Sequence, residues 1–269
     1  MPTQAETAAA FTELHRREGT FIIPNPWDVG SACLLAHAGF EALATSSAGY
    51  AFSIGKADGQ VGREQTLTHA KEVVAATGLP VSIDLENGFG DAPEDAAETI
   101  RLAAAAGAVG GSIEDRTRRT EDPIYDRALA AERIRAAAEV VHSLPFPFML
   151  TARAENYLVG KPDLKDTIER LQSYQEAGAN VLYAPGLTTR DEITTLISSV
   201  DRPVNVLMGI KGVQLTLSDL TAMGVKRISV GSTLARVALG AFLRAAHEMK
   251  DQGTFGLAGA CAGSWWSSR

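Results

Sequence analysis

The sequence predicts a (β/α)8 barrel of the α/β class, and three observations carry that prediction. Short apolar runs alternate eight times with Ala-rich amphipathic segments. The runs show no regular polar/apolar alternation, the mark of strands buried on both faces of a parallel sheet beneath helices. The same punctuation recurs before strands, in Ala38-Gly39-Phe40, Gly78-Leu79-Pro80, Ala106-Gly107-Ala108, Ala177-Gly178-Ala179 and Met223-Gly224-Val225. Each is a helix-ending glycine followed by re-entry into a strand.

The expected strands are Phe21–Ile23, Ala42–Thr45, Val81–Asp84, Gly111–Glu114, Phe148–Ala152, Val181–Ala184, Val204–Leu207 and Arg227–Val230. Helices are expected over Gly30–Ala38, Arg63–Ala76, Pro93–Ala106, Arg127–His142, Asp163–Ala177, Arg190–Ser198 and Val213–Met223, with a last, longer one over Ser232–Lys250. Eight regular units in about 250 residues suit a closed barrel. A doubly wound open sheet is the alternative, but no linker or composition break interrupts the series. The domain reading is a barrel over residues 1–250 and a C-terminal tail over 251–269. That tail carries Trp265 beside Trp266, expected to pack on a neighbouring subunit.

Composition narrows the function. Of 269 residues, 45% are hydrophobic and 21% charged, which is too apolar for disorder. The formal charge of −7 argues against a nucleic-acid partner, which needs a positive surface. Apolar stretches fall short of the ~18 residues a membrane helix needs, so no membrane partner is expected. Met1–Glu18 reads as an amphipathic helix without a signal-peptide core. The expectation is a cytoplasmic enzyme or binding protein. Cys33 and Cys261 are the only cysteines, which excludes a disulfide scaffold and a Cys-rich zinc site.

In a (β/α)8 barrel, function collects at the C-terminal ends of the strands. Those positions hold Asn25, Trp27 and Asp28, then Ser46 and Ser47, then Asp84 and Glu86. Glu114 and Asp115, Arg153 and Glu155, Tyr183 and Asn205 follow. Three carboxylates at one mouth (Asp84, Glu86 and Glu114) repel one another unless a cation neutralises them. An all-oxygen set suits Mg2+ or Mn2+; helix capping is the competing reading. Arg153 suits bidentate capture of a substrate carboxylate, or a salt bridge to Glu155 or the acidic cluster.

Other motifs carry less. Gly88-Phe89-Gly90-Asp91-Ala92-Pro93 imitates a dinucleotide fingerprint, but Pro93 makes it a loop and helix start. All five histidines fall in expected helices, no lysine sits in an expected strand, and no GxSxG elbow exists. Gly231-Ser232 could hold a phosphate on its amides or act as a plain N-cap.

TSSAGYAFSIGKADG (Thr45–Gly59), the D-x-E of IDLENGFG, SIEDR (Ser112–Arg116) and TARAENY (Thr151–Tyr157) resemble the isocitrate lyase/phosphoenolpyruvate mutase superfamily, over about Phe21 to Lys250. The resemblance implies a barrel that binds Mg2+ and a small 2-oxo or 2-hydroxy acid, with an eighth helix exchanged between subunits of a homodimer or homotetramer. It implies that Asp84 binds the metal and that Glu86 and Glu114 hold its waters. The backbone of Ser46, Ser47 and Ala48 would receive the substrate and Arg153 would clamp its carboxylate. Asp58 matches an acidic residue on the family's mobile loop. Asp58, Arg153 and Glu114 are then the candidate catalytic residues. Trp27, Ser46, Ser47, Ala48, Asp84, Arg153, Tyr183 and Asn205 are the candidate substrate-binding set.

Two departures bear on the reaction. The Cys-bearing loop of the isocitrate and methylisocitrate lyases is replaced here by Arg116-Thr117-Arg118-Arg119-Thr120-Glu121-Asp122-Pro123. The Lys-Thr-Asn-type gate of the phosphonate-processing branch is missing as well. The expected activity is a Mg2+-dependent C–C cleavage, by retro-aldol reaction or decarboxylation, with Tyr50 or Tyr125 as replacement acid. The alternatives are P–C bond chemistry on a phosphonopyruvate-type substrate, a barrel that binds a 2-oxo acid without turnover, and a phosphosugar-binding barrel.

Overall fold

The computed structural model describes residues 2–256. Eight parallel strands form one sheet: β1 (Phe21–Ile22), β2 (Leu43–Ala44), β3 (Val81–Asp84), β4 (Gly110–Glu114), β5 (Met149–Arg153), β6 (Val181–Tyr183), β7 (Val204–Leu207) and β8 (Arg227–Ser229). They are ordered β1-β8-β7-β6-β5-β4-β3-β2, so β1 has returned to the far edge beside β8. Ala44 N donates to Pro24 O at 3.1 Å, and Asn25 Nδ2 to Thr45 O at 3.2 Å. These two bonds join the remaining edges and make the sheet a (β/α)8 barrel.

Ten helices surround it among the described residues: α1 (Gln4–Arg16), α2 (Val29–His37), α3 (Ser47–Ser53), α4 (Arg63–Thr77), α5 (Pro93–Ala105), α6 (Arg127–Ser143), α7 (Leu164–Glu176), α8 (Arg190–Ser198), α9 (Leu217–Ala222) and α10 (Thr233–His247). The five glycines read as helix stops all take positive φ, from 68° at Gly78 to 105° at Gly178. All five histidines do lie in helices, and Pro93 is the first residue of α5.

Helix α1 closes the N-terminal end of the barrel. Its buried Phe11 and Leu14 pack with Phe21, Val109, Met149 and Val181. A side chain at Gly110 would stand 2.8 Å from the Phe11 ring, and one at Gly111 2.8 Å from Leu85. The adjacent glycines of β4 therefore let α1 approach on one face and the helical layer on the other.

Three expectations need correction. The expected helices leave out the segment after β2, which forms the short helix α3, opened by Ser46, whose Oγ accepts from Gly49 N at 3.1 Å. The helix expected over Val213–Met223 is only Leu217–Ala222, because Thr216 and Asp219 form a capping box that sets its start. The last helix ends at His247 and continues as one π turn, Glu248–Gln252. Most of the C-terminal tail, with Cys261, Trp265 and Trp266, lies outside the described residues. No helix among those described is long and apolar enough to cross a membrane.

Candidate active site

Strand alternation sends Ser112 and Glu114 inward from β4 and Thr151 and Arg153 inward from β5. Arg153 is the centre of the mouth. Its Nη1 donates to Asp84 Oδ1 at 3.1 Å, and its Nε and Nη2 reach Glu155 Oε1 at 3.0 and 2.8 Å. Glu114 Oε2 lies 3.1 Å from Nη2, and the guanidinium carbon sits 5.1 Å from the centre of the Tyr183 ring. One cation thus serves three carboxylates, and the cluster keeps a surplus of negative charge. Burial first, then its acidic neighbours, hold Glu114 well above the usual carboxylate range, with Arg153 opposing. Glu155 is raised in the same way.

Asp84 Oδ2 accepts from Ser47 N at 3.1 Å, so the opening of α3 is tied to the end of β3. Ser47 Oγ donates to Asp58 Oδ1 at 3.3 Å, which brings the exposed Asp58 to the same mouth. Glu86 adopts φ of 49° and forms an ion pair with Arg118, which itself adopts φ of 65°. Arg118 also donates to Gly59 O at 2.7 Å, so the arginine-rich segment after β4 does reach across the mouth.

Asp115 points the other way, out of the barrel. It accepts from Tyr174 Oη at 2.7 Å, Arg170 Nη1 at 3.1 Å and Glu155 N at 2.8 Å, and so fixes the segment carrying Glu155.

The mouth opens into a cavity of about 190 Å3 bordered by Ser46, Ser47, Ala48, Asp58, Asp84, Arg153, Tyr183 and Asn205. Glu86 and Glu114 border an adjoining space with Asp58 and Arg118. The structure therefore brings together all the expected residues but one. Trp27 stands beside the cavity rather than in its wall, with its Cβ 2.9 Å from where a Gly49 side chain would begin. Asp28 caps α2. Tyr50 stacks on His69 at 3.9 Å, and Tyr125 is bound to Asp91 at 2.6 Å; neither borders the cavity. Ser232 opens α10 without a side-chain cap bond. The Val230 and Gly231 amides are taken by Asn25 Oδ1, at 2.8 and 2.9 Å.

The site also includes residues that strand-end reading passed over: Ser82, Ser112, Arg227 and Ser229, all on the cavity wall. The available signal was an arginine and a serine two apart in Arg227-Ile228-Ser229, a polar inward face in an otherwise apolar strand.

The sequence matches the phosphoenolpyruvate phosphomutase family over residues 11–250. The chain belongs to that family. Its members and their superfamily relatives are lyases and mutases acting on small carboxylic acids. A lyase/mutase of Burkholderia cenocepacia J2315, assigned only provisionally, is 60% identical, with 98% of each chain covered and a TM-score of 0.96. The 2-methylisocitrate lyase of Halalkalibacterium halodurans is 29% identical, covering 94% of this chain and 85% of the relative. An uncharacterised protein of Mycobacterium tuberculosis is 32% identical over 90% of this family member and 89% of its own length.

The residues fit an oxygen-liganded divalent ion. Glu86 Oε1 is buried with no hydrogen-bond partner, an acceptor left for a cation or its water. Among the described residues no three acidic, His or Cys side chains converge tightly enough to ligate one ion together.

Proposed function

We propose that this family member is a Mg2+- or Mn2+-dependent lyase that cleaves a C–C bond of a small 2-oxo or 2-hydroxy carboxylic acid. The observation that carries the reading is Arg153 standing between Asp84 and Glu114, 3.1 Å from each, at the mouth of a polar cavity. Asp84 would hold the ion directly, and Glu86 and Glu114 would hold its waters. When bound, the ion polarises the substrate's oxo oxygen and offsets charge developing there.

The chain's own residues do the rest. Arg153 pairs with the substrate carboxylate through its fork of N–H donors, and the backbone from Ser46 to Ala48 positions the oxo end. In a retro-aldol cleavage the substrate hydroxyl loses its proton as the C–C bond breaks. Asp58, held beside Ser47, takes that proton. The bonding electron pair stays on the departing carbon, which must then be protonated. Tyr183 and Glu114 are the candidate donors at the mouth: burial pushes the Tyr183 phenol to about 12 and raises the Glu114 carboxyl in the same direction. They take the place expected of Tyr50 or Tyr125. In a decarboxylation the pair is left by departing carbon dioxide and the same donors apply. Asn205 and Tyr183 confine the substrate from the far wall.

The assembly proposed with this function is a homodimer or homotetramer with α10 exchanged between subunits. Helix α10 packs mainly beside α3 and exposes Val237, Phe242 and Leu243, an apolar face suited to a second copy.

The test is an NMR product screen of oxaloacetate, methylisocitrate, dimethylmalate and phosphonopyruvate, with Mg2+ and with EDTA. The reading expects one carbon acid to be consumed only with Mg2+, and consumption to stop in Asp84→Ala. Turnover that persists in EDTA overturns the metal assignment. Exclusive loss of phosphonopyruvate replaces C–C with P–C chemistry. Metal-dependent binding of a 2-oxo acid without product replaces the enzyme with a binding barrel.

A further inference from the structure

The floor of the cavity carries a charge that the reaction above does not use. Arg227 opens β8 and faces into the barrel, only 5% exposed. Its Nε donates to Asn205 Oδ1 at 2.9 Å and its Nη2 to Thr151 Oγ1 at 3.0 Å. Its Nη1 lies 3.4 Å from His15 Nε2. His15 Nδ1 is 2.8 Å from Phe11 O, so Nδ1 carries the imidazole proton and Nε2 accepts from Arg227. Every partner is therefore neutral: an amide, a hydroxyl and an uncharged imidazole.

Among the described residues no salt bridge involves Arg227. The contrast is with Arg153 in the same cavity, which has three carboxylates. A guanidinium cannot discharge itself by losing a proton, and an isolated buried charge is costly. Arg227 has five N–H donors, of which three are engaged, leaving one on each terminal nitrogen. Arg227 borders the cavity, so these donors are available at its floor. The wall leading down from the mouth is polar as well, with Ser82, Ser112, Asn205 and Ser229 where such barrels usually place bulky branched residues.

We infer that Arg227 forms an anion subsite at the cavity floor, which takes a second carboxylate of the bound acid and makes the site selective for dicarboxylates. The inference rests on the 2-oxo-acid reading for its substrate class and on the Arg227 geometry for the subsite. A small inorganic anion offers the same chemistry, so the experiment separates the two sources.

Calorimetric titration of the full-length protein with Mg2+ would compare 2-oxoglutarate with 2-oxovalerate, and oxaloacetate with 2-oxobutyrate, pairs matched in carbon number. The expected result is at least tenfold tighter binding of each dicarboxylate, weakened by added chloride, and loss of that preference in Arg227→Met. Equal affinity within the wild-type pairs overturns the proposal, whether or not the variant folds. Preference surviving in Arg227→Met also overturns it. Crystals soaked in bromide provide the independent arm: an anomalous peak at Arg227 is expected. Bromide there without dicarboxylate preference assigns the floor to an inorganic anion and refutes the carboxylate assignment. If no 2-oxo acid binds at all, the proposed function falls, and absence of bromide at Arg227 overturns the subsite as well.

Discussion

Replacing Arg153 by Met removes the cation that Asp84, Glu114 and Glu155 share, while keeping a side chain of similar reach. Arg153 is 13% exposed and its three partners 16%, 8% and 1% exposed, so water replaces little of what is lost. Deleting one partner of a buried ion pair costs about 3–5 kcal/mol. The cost depends on pH with a definite sign. Glu114 and Glu155 are already raised above the ordinary range by burial. A carboxyl whose folded pKa is raised is most stabilising when protonated, and that contribution is lost as pH rises through the folded value. Without Arg153 the raising is larger, and each proton kept only by the folded state tilts stability by about 1.4 kcal/mol per pH unit. In EDTA the variant should trail the wild type by about 3–5 kcal/mol at pH 8 and by about 1–2 kcal/mol at pH 5.5. Urea unfolding followed by circular dichroism, at fixed protein concentration and with slopes compared, measures the gap. A gap under about 1 kcal/mol at pH 8, or one that widens toward pH 5.5, would refute the shared-cation account.

Asp115→Ala leaves the buried Tyr174 hydroxyl and the Glu155 amide without their acceptor and Arg170 with Asp166 as its remaining carboxylate, and should cost about 2–4 kcal/mol, against about 1 kcal/mol for Tyr174→Phe, by the same unfolding assay. Burial holds His15 at about 3 and His69 at about 4, so both stay neutral in the fold while the unfolded chain protonates below about 6.5. Acid therefore destabilises, and His69→Phe, which removes a buried Nε2 with no partner, should flatten the stability slope between pH 6 and 4.5 by about 1.4 kcal/mol per unit. Leu150→Ala, at a fully buried position in β5, should cost about 2–5 kcal/mol in chemical denaturation without altering the exposed mouth. Phe242→Glu should shift the light-scattering mass to that of a single chain if α10 is an exchanged helix.

The fold was legible because the signals that announce it are local. A glycine that must take positive φ after a helix, as at Gly107 or Gly178, is written in one residue, and an apolar run needs no partner to be recognised. The mouth was legible for a related reason: strand ends in a barrel collect the polar side chains, which singled out Asp84, Glu114 and Arg153, although Asp115, read together with them, turns out of the barrel onto Arg170 and Tyr174. What escaped depends on partners distant in sequence. Helix α3 was missed because SAGYAFS has no long amphipathic period, and its start is set by Ser46 and by the Asp84 carboxylate on Ser47 N. Tyr50 and Tyr125 were drawn toward the chemistry by residue type alone; His69 and Asp91 hold them elsewhere. Arg227 stood in an expected strand, but its significance lies in acceptors supplied by α1, β5 and β7, all neutral.

The same contrast explains why the two strained residues of the mouth could not be read in advance. Positive φ at a non-glycine residue costs about 1–3 kcal/mol and persists only where surrounding contacts impose it. Glu86 and Arg118 lie on different segments, each takes that conformation, and their side chains meet as an ion pair. Glu86 is further held by its amide on Asp84 Oδ1 at 3.4 Å, and Arg118 by Gly59 O at 2.7 Å. The strain is therefore placed where the end of β3, the segment after β4 and the loop following α3 converge. A sequence states none of these contacts, because each is a meeting of two segments. Their convergence on Glu86 leaves its Oε1 a buried acceptor with no donor among the described residues, next to the Asp84 carboxylate on which its amide is held.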